Sequence, residues 1–231
     1  MSGLAEFKAE LSKHANPAQA KLLQRFFKTA DGEYGAGDVF LGIKVPVQRS
    51  IAKKYQNMTL FELQELLNNK IHEHRMCALF ILVDMYKKYV DKKQIFEFYL
   101  SNYKNINNWD LVDLSAPNIV GDYLLNHPRK ILYELARSDS LWKKRIAMLA
   151  TYTFIRSNQF DDTLKIAEIL LKDKHDLIHK AVGWMLREAG KRNQVLEEQF
   201  LKHHYKTMPR TMLRYAIEKF TETKRKFYLN K

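Results

Sequence analysis

Cysteine is almost missing from this chain: Cys77 is the one thiol in 231 residues. A lone thiol cannot form an intrachain disulfide or a paired-cysteine metal or redox motif. Its setting in the apolar run CALFILV reads as a small buried hydrophobe, not a nucleophile. Proline and glycine are also scarce, with 5 and 8 residues, and five of the glycines precede Ile43. Most of the chain therefore lacks the breakers that punctuate β-rich sequences. No apolar run reaches membrane length, and Met1 to Glu10 lacks the order of a secretion signal, so no membrane association and a cytoplasmic location are expected. No phosphate-cradling glycine loop or nucleophile elbow occurs. Acidic residues are in deficit: 26 Asp and Glu stand against 39 Lys and Arg, a formal charge of +13. Such a field favours a polyanionic partner, although a solubilising surface is the plainer explanation.

What the chain does have is helical periodicity. Apolar residues recur three and four apart, as in Leu132, Leu135, Ala136 and Ile166, Ile169, Leu170, without sustained alternation. Start signals divide this pattern into short helices: Asn16 with Pro17, Pro46, the capping-box pair Thr59 and Glu62, Pro128, and Pro209. Asp31 to Asp38, DGEYGAGD, reads instead as an exposed flexible loop or lid.

From Thr59 onward, first helices are expected near Thr59, Lys92, Pro128, Phe160 and Asn193, a recurrence of roughly 32 to 36 residues. Second helices are expected near Ile71, Trp109, Leu141, His175 and Pro209. The fold class this predicts is all-α, a curved solenoid of HEAT-like antiparallel helix pairs. One domain spans residues 1–231, with 1–58 as N-terminal capping helices and loop and 59–231 as repeats. A tetratricopeptide array fits less well, because its aromatic and glycine signature is missing. The second helices carry Lys143, Lys144 and Arg145, then Lys180, Trp184 and Arg187, then Arg210 and Arg214. On one side of a stack these would line a concave basic groove suited to phosphates and stacked bases; the alternative is that some face convex solvent.

NNWDLVDLSAPNIVGDYLL is the most informative segment. Trp109 and Asp113 are four apart, hence about 40° apart around a helix, so an indole and a carboxylate share one face. Pro117 has no N–H for the carbonyl of Asp113, so it either kinks the helix and exposes that aspartate or starts a new helical segment. A carboxylate in a cationic groove repels phosphate, so it weakens binding unless its charge has a task. When a glycosidic bond to a cationic base breaks, positive charge moves onto the deoxyribose. An anion at ~4 Å, at an effective dielectric of ~20, then contributes on the order of 4 kcal/mol, about a thousandfold in rate. The plainer reading of Asp113 is an ordinary ion-pair partner, and that of Trp184 a core residue. His175 and His179 have the spacing of a zinc pair but no evident third ligand, so no metal is expected.

WDLVD at Trp109 to Asp113, VGDYLLNHP at Val120 to Pro128, LWKKRIAM at Leu141 to Met148 and AVGWMLRE at Ala181 to Glu188 together resemble the AlkD-type DNA alkylation-repair glycosylases. FLGIKVPVQR, Phe40 to Arg49, is similar to that family's N-terminal segment. The motifs occur in order over most of the chain. The resemblance implies HEAT-like helix pairs that release N3- and N7-alkylated purines from double-stranded DNA without metal or organic cofactor. It implies Asp113 as the catalytic carboxylate, Trp109 and Trp184 as walls beside the damaged nucleotide, and Arg145 as a backbone clamp. Lys44, Lys143, Lys144, Lys180, Arg187, Arg210 and Arg214 follow as backbone contacts by position and charge. Asn108 departs from the pattern, standing where a second aromatic is expected, and the loop before Phe40 is longer than usual.

The activity so implied is a monofunctional glycosylase, since no well-motivated lysine nucleophile is present for a lyase step. It would work in the cytoplasm, associated with the nucleoid, with no obligatory protein partner. A non-catalytic repeat protein that binds bent or branched DNA accounts equally for the composition and the repeats. A protein–protein scaffold fits the charge less well.

Overall fold

The computed structural model describes residues 3–88 and 91–230. Among them every regular element is helical, and the nearest approach to a sheet is an isolated parallel bridge between Val39 and Ile71. No described helix is long and apolar enough to cross a membrane. The chain divides into two compact units, Met1–Ser115 and Ala116–Lys231.

The first unit contains α1 (Gly3–Ser12), α2 (Pro17–Phe26), α3 (Val45–Lys54), α4 (Leu60–Leu67), α5 (His72–Lys88), α6 (Lys92–Ser101) and most of α7 (Trp109–Ala116). Local chemistry sets the starts. Asn16 accepts the Gln19 N–H ahead of Pro17, and Thr59 and Glu62 close a reciprocal capping box. Helix α5 is the centre of this unit. It is buried on all sides from His72 to Val83 and packs against α3, α4 and α6, as a helix without a polar stripe must. Cys77 is fully buried within it, with Sγ 3.7 Å from the carbonyl oxygen of Gln48. Burial pushes its thiol pKa up, so it is packing, not a nucleophile.

The second unit opens with a π-helical turn, Pro117–Gly121, then α8 (Asp122–Leu124). Helix α9 (Lys130–Ala136) packs with α10 (Leu141–Arg156) and α11 (Asp161–Leu170) with α12 (Asp176–Gly190), while α13 (Gln194–His204) and α14 (Arg210–Ala216) both pack on α12. A 3-10 turn at Ile217–Lys219 and α15 (Glu222–Leu229) close it. The second helices α10, α12 and α14 pack successively on one another. Two glycines permit close crossings. A methyl at Gly121 would overlap the Ala150 carbonyl oxygen of α10, and one at Gly183 would overlap the Met212 carbonyl oxygen of α14.

Helix starts match the expected repeat: Thr59, Phe160 and Asn193 cap first helices, and Lys92 opens one. Pro128 lies two residues ahead of α9. Pro117 gives neither of the expected outcomes in pure form. Ala116 before it and Asp122 after the turn both have right-handed helical dihedrals, and the wider π turn between them accommodates the missing proline N–H.

The loop is exposed at Asp31 to Glu33 and at Ala36 and Gly37, but it is anchored: Gly35 and Asp38 are buried, and the Gly35 N–H donates to the Lys28 carbonyl. A side chain at Gly35 would overlap the Phe27 carbonyl oxygen, so the absent Cβ is what lets the loop lie flat. Asp38 is tied to Arg75 at 2.5 Å, which pins the far end of the loop to α5.

Candidate active site

The site in the first unit begins one residue before α7. Asn108 is fully buried, and its Oδ1 accepts the Trp109 N–H at 2.8 Å. A buried polar residue thus stands immediately before the helix, in place of the expected second aromatic. Trp109 is half-buried, stacked on Phe27 at 5.3 Å and 21°, with Phe26 edge-on at 6.1 Å. Phe26 is 63% exposed, the end of an aromatic run that continues inward through Phe27 and Phe40. Asp113 follows one turn along α7 and is half-buried. Behind it the Tyr99 hydroxyl meets Ser115 Oγ at 2.9 Å. Burial, then the charge of Asp113, push the Tyr99 pKa up against the opposing Ser115 hydrogen bond, so a neutral phenol backs the carboxylate.

Beneath Trp109 lies a charged bridge that sequence reading misses. His72 Nε2 is 2.8 Å from Asp110 Oδ2, and His72 Nδ1 is 3.4 Å from Asp38 Oδ2. The imidazole stacks on Phe40 at 4.6 Å and lies 5.2 Å from Phe27. Burial opposes its protonation, but the charge and hydrogen bond of Asp110, with the hydrogen bond to Asp38, raise its pKa to about 9 against the charge of Arg75. Asp38, although buried, is held below the usual carboxylate range by His72 and Arg75. Next to it, Glu73 receives three successive backbone N–H groups, from Leu41, Gly42 and Ile43, at 2.8–3.2 Å. Four polar residues in a row, His72 to Arg75, ahead of an apolar run were the only hint in the sequence, and their burial shows in the structure.

In the second unit Trp184 is half-buried. Its indole N–H donates to Glu188 at 3.2 Å, and its ring lies 6.2 Å from Tyr152. Arg187 pairs with Glu188 and with Glu218. Lys144 is bound to Asp173 at 2.8 Å, and Lys180 to Asp176 at 2.7 Å one turn apart on α12. Arg145, expected as a backbone clamp, is 4% exposed and donates to the Leu177 carbonyl at 2.5 Å, satisfying a backbone acceptor where α10 meets the start of α12. Lys143 is half-buried in the first turn of α10. Arg210 and Arg214 are exposed on α14, and Lys44 is exposed at the start of α3. His175 accepts the Leu177 N–H, and His179 donates to the Asp173 carbonyl, so both rings serve the entry to α12.

The model of the DNA alkylation repair enzyme family matches residues 7–220. The chain belongs to that family, and its role is in DNA repair. Among solved structures, it is similar to a protein of Enterococcus faecalis described as a predicted DNA alkylation repair enzyme. That match has 17% identity and a TM-score of 0.72, covering 90% of this chain and 98% of that one. It is also similar to smu.31 from Streptococcus mutans UA159, with 19% identity and a TM-score of 0.54, covering 95% and 98%. At these identities the likeness shows the fold. No curated protein matches the sequence.

Proposed function

We propose that the protein is a monofunctional DNA glycosylase, active in the cytoplasm on double-stranded DNA, that removes N3- and N7-alkylated purines. The observation that carries this reading is Trp109 and Asp113 one turn apart on α7, the indole backed by Phe27. In the reaction the bond between C1′ and the purine nitrogen breaks, and its electron pair leaves with the base, cancelling the positive charge that alkylation placed there. The leaving base therefore needs no general acid. Positive charge develops on the deoxyribose, and Asp113 stabilises it. Water then adds to C1′ and loses a proton, leaving an abasic site.

Trp109 and Trp184 offer flat faces to sugar or cationic base, the latter gaining a cation–π contribution. Phe26 extends the aromatic surface around Trp109 towards solvent. Of the cations, Arg210, Arg214 and Lys44 are exposed, and the Lys180–Asp176 pair is weak enough to exchange for a phosphate. Lys143, Lys144 and Arg187 are the more constrained contacts, and Arg145 acts through the backbone at the start of α12.

The test is single-turnover release of 7-methylguanine and 3-methyladenine from duplex DNA, comparing wild type with Asp113→Asn and measuring affinity alongside. We expect release to fall by about a thousandfold with affinity unchanged or slightly improved. Tight binding by wild type without release would replace this reading with a non-catalytic binder of bent or branched DNA.

A further inference from the structure

The roles of Trp109 and Asp113 leave the buried first turn of α5 unused. Glu73 is accounted for, because its carboxylate organises the backbone of residues 41–43. His72 is different: carboxylates from two other segments face its two ring nitrogens, Asp110 at 2.8 Å and Asp38 at 3.4 Å. Only an imidazolium can donate to both. The charged groups around it are Asp38, Asp110 and Arg75, and its ring lies against Phe40 and Phe27. Phe27 is also the residue on which the Trp109 indole stacks.

We propose that His72, kept as an imidazolium between Asp38 and Asp110, is a positioning residue that fixes the first turn of α7 and so holds the Trp109 indole where it meets the substrate. The inference rests on the glycosylase reading for the substrate but not for the positioning. Two routes link His72 to Trp109. One is covalent, since Asp110 is the next residue and its free rotation would loosen the helix start. The other is by packing, through Phe27, which contacts both rings. Asp110 spends its second oxygen on the Leu111 N–H at 2.8 Å, so the His72 bond holds a carboxylate that is itself part of the helix N-terminus. The same bridge ties Asp38, at the end of the glycine loop, to the site.

The experiment uses full-length protein labelled with 5-fluorotryptophan. Its three tryptophans, Trp109, Trp142 and Trp184, give separate fluorine resonances, and Trp109→Phe assigns one. Wild type, His72→Gln and Asp110→Asn are compared, with single-turnover base release and DNA affinity measured on the same samples. We expect the Trp109 resonance to shift or broaden in both variants while the other two stay, and release to slow by about ten- to a hundredfold with affinity within about threefold. In wild type the Trp109 resonance should titrate near pH 9, where the bridge loses its proton. Should His72→Gln not fold, Asp110→Asn and that titration carry the test. Release at the wild-type rate in a folded variant, or slowed release with the Trp109 resonance unmoved, overturns the proposal. If wild type releases no base, the glycosylase reading fails by itself, and the resonance alone decides: a response supports the positioning, and no response overturns it.

Discussion

A buried carboxyl group is tolerable when it keeps its proton, and Glu197 is such a group. It is 2% exposed in α13, packed where Gly190 has no side chain, with Oε1 lacking a hydrogen-bond partner. Burial first, and then the charge of Glu198, raise its pKa to about 8 from 4.5. The folded state therefore binds a proton more tightly than the unfolded chain. The stability this contributes is complete below about pH 4.5 and is lost as pH rises towards 8, on the order of a few kcal/mol. Glu197→Gln should remove that slope. In urea melts at pH 5, 7 and 9 the variant should match wild type at the acid end and exceed it at pH 9; equal midpoints at pH 9 would refute this account. The site shows how far such residues are legible in sequence. Trp109 and Asp113 could be placed on one face from spacing alone. His72, Asp38 and Glu197 could not, because their partners or environments come from other elements, 34 and 38 residues away for His72.

At the scale of elements, local chemistry was readable and close approach was not. Asn16, Thr59, Ser140 and Asn193 each accept an N–H from the first turn of the helix they precede, as their residue types allow. The anchoring of the glycine loop was not readable, because composition reports permissive backbone, not what that backbone rests on; Gly35 is buried against residues 27 and 28. Gly183 sits inside α12, where a glycine costs helix stability, and the crossing with α14 explains it. Gly183→Ala should gain up to about 1 kcal/mol in propensity and lose about 1–3 kcal/mol by forcing the Met212 carbonyl and Tyr215 away. The net expectation is a Tm lowered by a few degrees, roughly 2–4 °C per kcal/mol for a chain of this size. A raised Tm would mean that the two helices separate without loss.

For the molecule as a whole, the formal charge of +13 is a statement about association, and the ion pairs decide which cations contribute to it. A lysine already holding a buried carboxylate cannot release a phosphate counterion without losing that partner; Lys144, with Asp173 largely shielded from solvent, is in this position. Arg214 is exposed on α14 and can meet a phosphate at little cost. Affinity for undamaged duplex DNA should therefore fall steeply with salt, and neutralising Arg214 with Gln should lower the slope of log K against log salt by roughly one. Lys144→Gln should change that slope less and stability more, because it strands Asp173, whose pKa is lowered despite burial by its hydrogen bond to Lys144. Fluorescence anisotropy across a salt series, paired with thermal melts of the two variants, separates these effects. If Lys144→Gln flattened the salt dependence as much as Arg214→Gln and left the melt unchanged, the Lys144–Asp173 pair would have to open on DNA, and the basic surface would extend along α10.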